Sequence, residues 1–145
     1  MSLANDLPES STPGKASPAL VPRFRDQSQL DFDIEFFDSV LSRQPDYLDV
    51  LRCQGQLLSR KGLHARALQI DCRLVELVPG DGVAHYNLGC SLALMGYTKE
   101  AVDALRKALS RGYNDIDYLE SDRDLDSIRN EPEYRELLRE LGIQS

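Results

Sequence analysis

The sequence predicts an all-α protein, a short solenoid of helical hairpins behind a disordered N-terminal tail. Three observations carry that expectation. Apolar residues recur at helical spacing between proline and glycine stops. No run alternates polar and apolar residues for long enough to make a strand. Five residues repeat at one offset: Pro45 and Pro79, Gly55 and Gly89, Leu58 and Leu92, Gly62 and Gly96, Ala67 and Ala101 are each 34 residues apart. Two helices in each such period mark a stacked-repeat architecture.

Residues 1–27 are rich in Ser, Pro and small polar residues, and Pro8, Pro13, Pro18 and Pro22 interrupt any helix. They read as a disordered tail. Within it "ALVPRFR", Ala19 to Arg25, gathers Leu20, Val21 and Phe24 beside two arginines. That segment reads as a linker end packing on the first helix, or as a short docking segment that covers a groove.

From Ser28 the chain reads as helices. Leu30, Ile34, Phe37 and Leu41 share one helical face, and Pro45 closes the element. Asp46 is positioned to cap a second helix carrying Leu48, Leu51 and Leu58, with Gly62 as its stop. A third runs from His64 to Val78 before Pro79, and a fourth from Val83 to Met95 before Gly96. Thr98 is placed to cap a fifth helix bearing Ala101, Leu105, Ala108 and Leu109. Gly89 sits inside the apolar fourth helix, where glycine costs about 1 kcal/mol relative to alanine. A close helix crossing against the Ala101 side of the fifth helix explains it, and Gly55 with Ala67 predicts the same crossing one repeat earlier.

These residues carry a family resemblance. Helix A of a tetratricopeptide (TPR) repeat has a large residue, a Leu-Gly pair and a second large residue. "HYNLGCSL" supplies His85, Leu88, Gly89 and Leu92, and "LRCQGQLL" supplies Leu51, Gln54, Gly55 and Leu58. Helix B opens with Ala67 or Ala101. The chain therefore resembles a short TPR-like array of the bacterial type with a degenerate C-terminal repeat. The units are a half repeat over 28–45, repeats over 48–81 and 82–115, and a degenerate capping repeat over 116–145. In that last unit a short helix falls near Ile116–Ser121, a turn follows through Leu125 and Ile128, and a final helix opens with an Asn130 cap and Pro132. Two positions depart from the pattern, Asp71 and Tyr113. Asp71 suggests a slightly rotated helix, with Ile70 and Leu74 taking the buried positions.

Composition narrows the function. The net charge of −7 argues against nucleic acid and anionic membrane surfaces as partners. Three widely spaced cysteines, Cys53, Cys72 and Cys90, fit free thiols in a reducing, cytoplasmic setting. The N-terminus lacks a basic region followed by an apolar one, so no signal peptide is expected. No nucleophile–base–orienter set, phosphate loop or zinc spacing appears, so the expectation is a protein without enzymatic activity, cofactor or metal. His85 reads as a packed ring and His64 as an exposed one.

The resemblance implies a concave face built mainly from the A helices, which binds a segment of another protein. The residues expected to make contact are Arg52, Gln56, Tyr86, Asn87, Cys90 and Leu94. Asp49, Cys53, Ser59, Arg60 and Val83 share that face, with Asp117 and Glu120 from the last unit. Arg52, Gln56 and Asn87 imitate three of the five residues of a known clamp for C-terminal carboxylates. Asp117 stands where that clamp needs a cation, so such a ligand is disfavoured. The alternative is self-assembly: the half repeat leaves the Ile34/Phe36/Phe37 helix without its usual mate, which favours a homodimer. Ten acidic residues against four arginines over 112–145 make the C-terminal unit the most acidic. They read as a solvated cap, or as an attraction for a basic partner segment.

Overall fold

The computed structural model describes residues 20–143, with side chains from Gln29 onward. Helix α1 spans Leu20–Arg43, α2 Leu48–Lys61, α3 His64–Leu77, α4 Gly82–Leu94 and α5 Thr98–Ser110. A short α6, Ile116–Ser121, leads into a 3₁₀ segment, Arg123–Ile128, and α7, Pro132–Glu140, closes the chain. Consecutive helices pack as antiparallel hairpins, α2 with α3 and α4 with α5, and α3 packs on α4 to join the hairpins. No described helix is long and apolar enough to cross a membrane.

The first helix differs from expectation. It starts at Leu20, not near Ser28, so part of the 1–27 stretch is helical. Pro22 explains how: it lies in the first turn, where a backbone N–H has no helical partner to lose. The rest of the expected tail, and the side chains of the "ALVPRFR" segment, lie outside the described residues. Helix α1 packs on α2 through Leu30 and Ile34, which cluster with Leu58 and Ala67. Gln54 stands in place of the Leu of the Leu-Gly pair. It is fully buried, and its Nε2 donates to the Ile34 carbonyl at 2.9 Å and to Asp38 at 2.7 Å. A polar residue thus ties α1 to α2.

The two central hairpins are near-copies. Gly62 and Gly96 end α2 and α4 at φ 86° and 85°, a left-handed conformation that glycine adopts without strain. Beyond each, the Leu63 N–H bonds Leu58 O and the Tyr97 N–H bonds Leu92 O, both at 2.9 Å. These bonds satisfy carbonyls that a helix end leaves open. Ala67 and Ala101 are both buried at the start of helix B.

The glycine crossings appear where expected, with one change of partner. A Cβ on Gly89 would lie 2.9 Å from Leu105 Cδ2 and 3.3 Å from the Ala101 carbonyl. A Cβ on Gly55 would lie 3.2 Å from Asp71 Oδ1 and 3.3 Å from Ile70 Cγ2. Leu105 and Asp71 are themselves 34 residues apart. Helix α3 is therefore not rotated: Asp71 occupies the buried position in register, 6% exposed, with Leu74 buried beside it and Ile70 half-buried.

Three expected caps are also replaced. Tyr47, Tyr97 and Glu131 precede α2, α5 and α7 without a side-chain bond. Asp46 instead pairs with Arg73 across the α2–α3 hairpin at 2.6 Å. The side chains that do cap are Asp81, Asp115 and Asp122, each accepting backbone N–H groups of the next element.

The largest apolar cluster lies at the C-terminal end. Ala101, Leu105 and Ala108 of α5 meet Leu119, Leu125, Ile128, Tyr134 and Leu137, none more than 1% exposed. The degenerate unit folds over the second repeat and seals it. Arg129 holds the 3₁₀ segment in place by donating to the carbonyls of Asp122 and Leu119 and to the Tyr134 hydroxyl.

Candidate functional site

The repeat geometry brings the A helices side by side, and the 3₁₀ segment curls round to face them. Between them lies a cavity of about 410 Å³. Arg52, Gln56, Ser59 and Arg60 of α2 line one side, and Tyr86, Asn87, Cys90 and Ser91 of α4 the middle. Tyr118, Asp122 and Asp124 come from the last unit, and Asp71 reaches in from α3 past Gly55.

Five of the six residues expected to make contact thus surround one cavity. Arg52 is half-exposed and donates to Asp81 Oδ2 at 2.8 Å. Burial pushes the Asp81 carboxyl up, but the Arg52 guanidinium and the N–H groups of Ala84 and Val83 outweigh it and hold the group low. Gln56 is exposed and Asn87 half-buried. Tyr86 and Cys90 are buried, 3% and 6% exposed, and form the floor rather than the rim. Leu94, half-buried at the end of α4, does not line the cavity. Asp117 and Glu120 are exposed outside it, and their expected places are taken by Tyr118, Asp122 and Asp124. Cys53 and Val83 are exposed beyond its margin.

Two buried carboxylates organise the floor. Asp122 Oδ2 accepts the Tyr86 hydroxyl at 2.6 Å and faces the Cys90 thiol at 3.5 Å, while Oδ1 caps the Asp124 N–H at 3.0 Å. Tyr86 also stacks on Tyr113, with ring centroids 4.2 Å apart. At the place of the closing proline, Tyr113 thus backs the Tyr86 ring. Burial, then the hydrogen bond to Asp122, pushes the Tyr86 phenol far up, and burial followed by the Asp122 charge does the same to the Cys90 thiol. On the other side Asp71 Oδ2 accepts the Ser91 hydroxyl at 2.6 Å. Burial pushes the Asp71 carboxyl up to about 6, against the lowering effect of that bond. Helix α4 is consequently stapled to both neighbours by hydroxyl-to-carboxylate bonds.

The ligand atoms of Cys90, Asp122 and Asp124 lie within 4.8 Å of one another, a set with the donor types of a cation site. A metal would first have to displace the protons that Tyr86 and Cys90 share with Asp122. The high thiol pKa works against that exchange. His85 takes no part: its Nε2 lies 2.8 Å from the Pro79 carbonyl, in a buried position. His64 is half-buried, not exposed.

Sequence reasoning missed Asp71, Ser91, Asp122 and Asp124. The signal for Asp71 was present, a charged residue at a position where the next repeat has Leu105. Asp122 and Asp124 lie in a segment whose path follows no repeat, and their alternation with Asp126 lacks the glycine and terminal glutamate of a calcium loop, so it pointed to no site.

No family model matches the chain. A chloroplast protein of Arabidopsis thaliana is 33% identical over 90 residues, covering 60% of this chain and 27% of that protein. The chain thus spans about a quarter of that relative's length. Among solved structures, MamA from Desulfovibrio magneticus RS-1, from residue 41 to its end, superposes with a TM-score of 0.64 at 18% identity, over 81% of this chain and 66% of that one. A further MamA crystal structure gives 0.59 at 21% identity, over 83% and 84% of the two chains. At such identities the likeness is one of architecture, and with the internal period it shows that this chain has a TPR-like fold.

Proposed function

We propose that the protein is an interaction scaffold that holds a segment of another protein in the groove between its A helices and the 3₁₀ segment. The observation that carries this reading is the convergence of both central repeats and the C-terminal unit on one cavity with a polar rim and a hydrogen-bonded floor. Rigid elements presenting accessible polar groups are what peptide recognition requires. Arg52, Gln56 and Asn87 would give polar register, while Tyr86 and Cys90 support them from below and Leu94 contributes beyond the margin. Asp122 and Asp124 stand against a free C-terminal carboxylate and against phosphate, so neither a carboxylate clamp nor nucleic acid fits. A cytoplasmic setting belongs to the same reading, because three unpaired thiols suit a reducing compartment. Among the described lining residues no histidine or lysine base stands beside Ser91 or Cys90, and their hydroxyl and thiol are held by Asp71 and Asp122, which supports a binding role without turnover.

A photo-crosslinking residue at Asn87 tests the reading, with the same residue at Cys72, exposed on α3, as control. The expected result in native cells is a defined protein partner linked through position 87 alone. Equal labelling from both positions would move the binding surface elsewhere.

A second reading, a homodimer, has one observation in its favour. Phe36 of α1 is 42% exposed and stands edge-to-face with Phe37 at 5.5 Å. Sedimentation should then show a dimer that Phe36→Ser dissociates, and a concentration-independent monomer would end this reading.

A further inference from the structure

We propose that the groove selects a partner segment carrying a basic side chain, lysine or arginine, whose cation faces the Asp71 carboxylate past Gly55, with Asp122 and Asp124 completing the same cavity. The proposal rests on the scaffold reading above and names the chemistry of the occupant.

Charge complementarity is the first argument. Asp71, Asp122 and Asp124 face Arg52 and Arg60 in one cavity. Arg52 is already committed to Asp81 at 2.8 Å. That leaves Arg60 as the one unpaired cation among the described residues lining the cavity, against three carboxylates. The space is therefore short of positive charge, and a carboxylate removed from water calls for a partner of opposite sign.

Asp71 supplies the second argument. Its Oδ2 takes the Ser91 proton, but Oδ1 receives no hydrogen bond among the described residues. That oxygen lies 3.2 Å from where a Cβ on Gly55 would be, so the missing side chain leaves it open to the cavity. The fold itself does not require this carboxylate. At the same place in the next repeat Leu105 seals the crossing against Gly89, 0% exposed. An acid at the position where the next repeat holds a sealed leucine is a feature that packing alone does not explain.

The walls suit the rest of such a side chain. The Tyr118 ring, 52% exposed, offers an aromatic face to a passing cation, and Leu74 and Tyr86 give its methylene stem apolar contact. The chain's own residues 1–19 do not match this chemistry, since Lys15 is offset by Asp6 and Glu9.

The test is a combinatorial array of extended octapeptides probed with the full chain. Retained peptides should share lysine or arginine at one register position. One of them, labelled for fluorescence anisotropy, should bind about tenfold more weakly when that residue is norleucine. It should lose a similar factor against Asp71→Asn, which keeps the shape and an acceptor for Ser91. Gly55→Ala, which covers Oδ1 while keeping the acid, should weaken the basic peptide and not its norleucine form. Circular dichroism confirms that each variant is folded. Retained peptides selected for acidic residues, for a match to residues 1–19, or for no charge overturn the proposal and leave the scaffold reading standing. So does a basic preference undiminished in Asp71→Asn, Gly55→Ala and Asp124→Asn alike. An array that retains nothing overturns both.

Discussion

The two helix crossings of the repeats share one geometry and differ in one residue. In the second, Gly89 receives the apolar Leu105; in the first, Gly55 receives Asp71. Leucine at the crossing adds burial worth about 2 kcal/mol or more. Aspartate there is held with its carboxyl pushed up to about 6, which means that ionising it in place is costly. The comparison separates two uses of one backbone: the second crossing closes the core, and the first opens a polar group to the cavity. A repeat array permits this division because each hairpin contacts only its neighbours, so a local loss of stability is carried by the rest.

Copying the first crossing into the second is the most severe way to break the comparison. Leu105→Asp would place a carboxylate at a site that is 0% exposed and lacks a Ser91 equivalent. It would also remove a leucine from the largest core cluster. Loss of the apolar side chain and burial of an unpaired acid together should cost about 5 kcal/mol, a large part of a domain's stability. Urea unfolding followed by circular dichroism measures it. A cost under about 2 kcal/mol would mean that the second crossing tolerates polarity as the first does.

The reverse exchange should stabilise. Asp71→Leu restores the apolar crossing and removes a group whose ionisation at neutral pH costs about 3 kcal/mol, taking 1.36 kcal/mol for each unit between 3.8 and about 6. Allowing for the Ser91 hydroxyl left without its acceptor, the expected gain at pH 7 is about 2 kcal/mol. The sign of the pH dependence follows from a folded pKa above the unfolded one. Asp71 disfavours folding least below about pH 4, and its penalty grows as pH rises through about 6. The stability gap between Asp71→Asn and the wild type should therefore widen from pH 4 to pH 7. Subtraction removes the opposing slopes of Asp81 and Glu140, whose carboxyls are held low. A gap that stays constant across that range would show that Asp71 titrates as an ordinary exposed acid. Should Asp71→Leu also abolish selection of basic peptides, stability and recognition would trade at one residue.

The fold was legible because a repeat states its own rules twice. Pro45 with Pro79, and Gly62 with Gly96, mark the same helix ends in two copies, and the structure gives those glycines the same φ within a degree. The cavity was legible only where it follows the period: Arg52 and Tyr86 are one pair of equivalents, Gln56 and Cys90 another. What the period does not govern was hidden. Asp122 and Asp124 reach the cavity through a 3₁₀ turn held by Arg129, a path set by tertiary contacts with no local pattern. Capping was misplaced for a related reason. Asp46 is a good cap by type, but Arg73 offers it a partner across the hairpin, and that contact wins. Asp71 was visible as a departure from the repeat, but a lone acid among apolar residues reads as solvent-facing until its burial is seen.

The glycines give the finest test of the contrast. Alanine gains about 1 kcal/mol over glycine in a helix interior, equally for both sites. At Gly89 the new methyl meets Leu105, itself sealed on all sides, at 2.9 Å and the Ala101 carbonyl at 3.3 Å. Neither can withdraw without disturbing the core, and overpacking of this kind costs about 1–3 kcal/mol. Gly89→Ala should therefore destabilise by about 1 kcal/mol net. At Gly55 the nearest atoms are Asp71 Oδ1 at 3.2 Å and a methyl of half-buried Ile70 at 3.3 Å, both on side chains with open space beside them. They need to yield by only a few tenths of an ångström, so Gly55→Ala should fall within about 0.5 kcal/mol of wild type. The informative quantity is the difference between the two unfolding free energies, because helix propensity cancels in it. A difference of zero would mean that both crossings are equally tight. The division between a closing crossing and an opening one would then rest on the acid alone and not on the space around it.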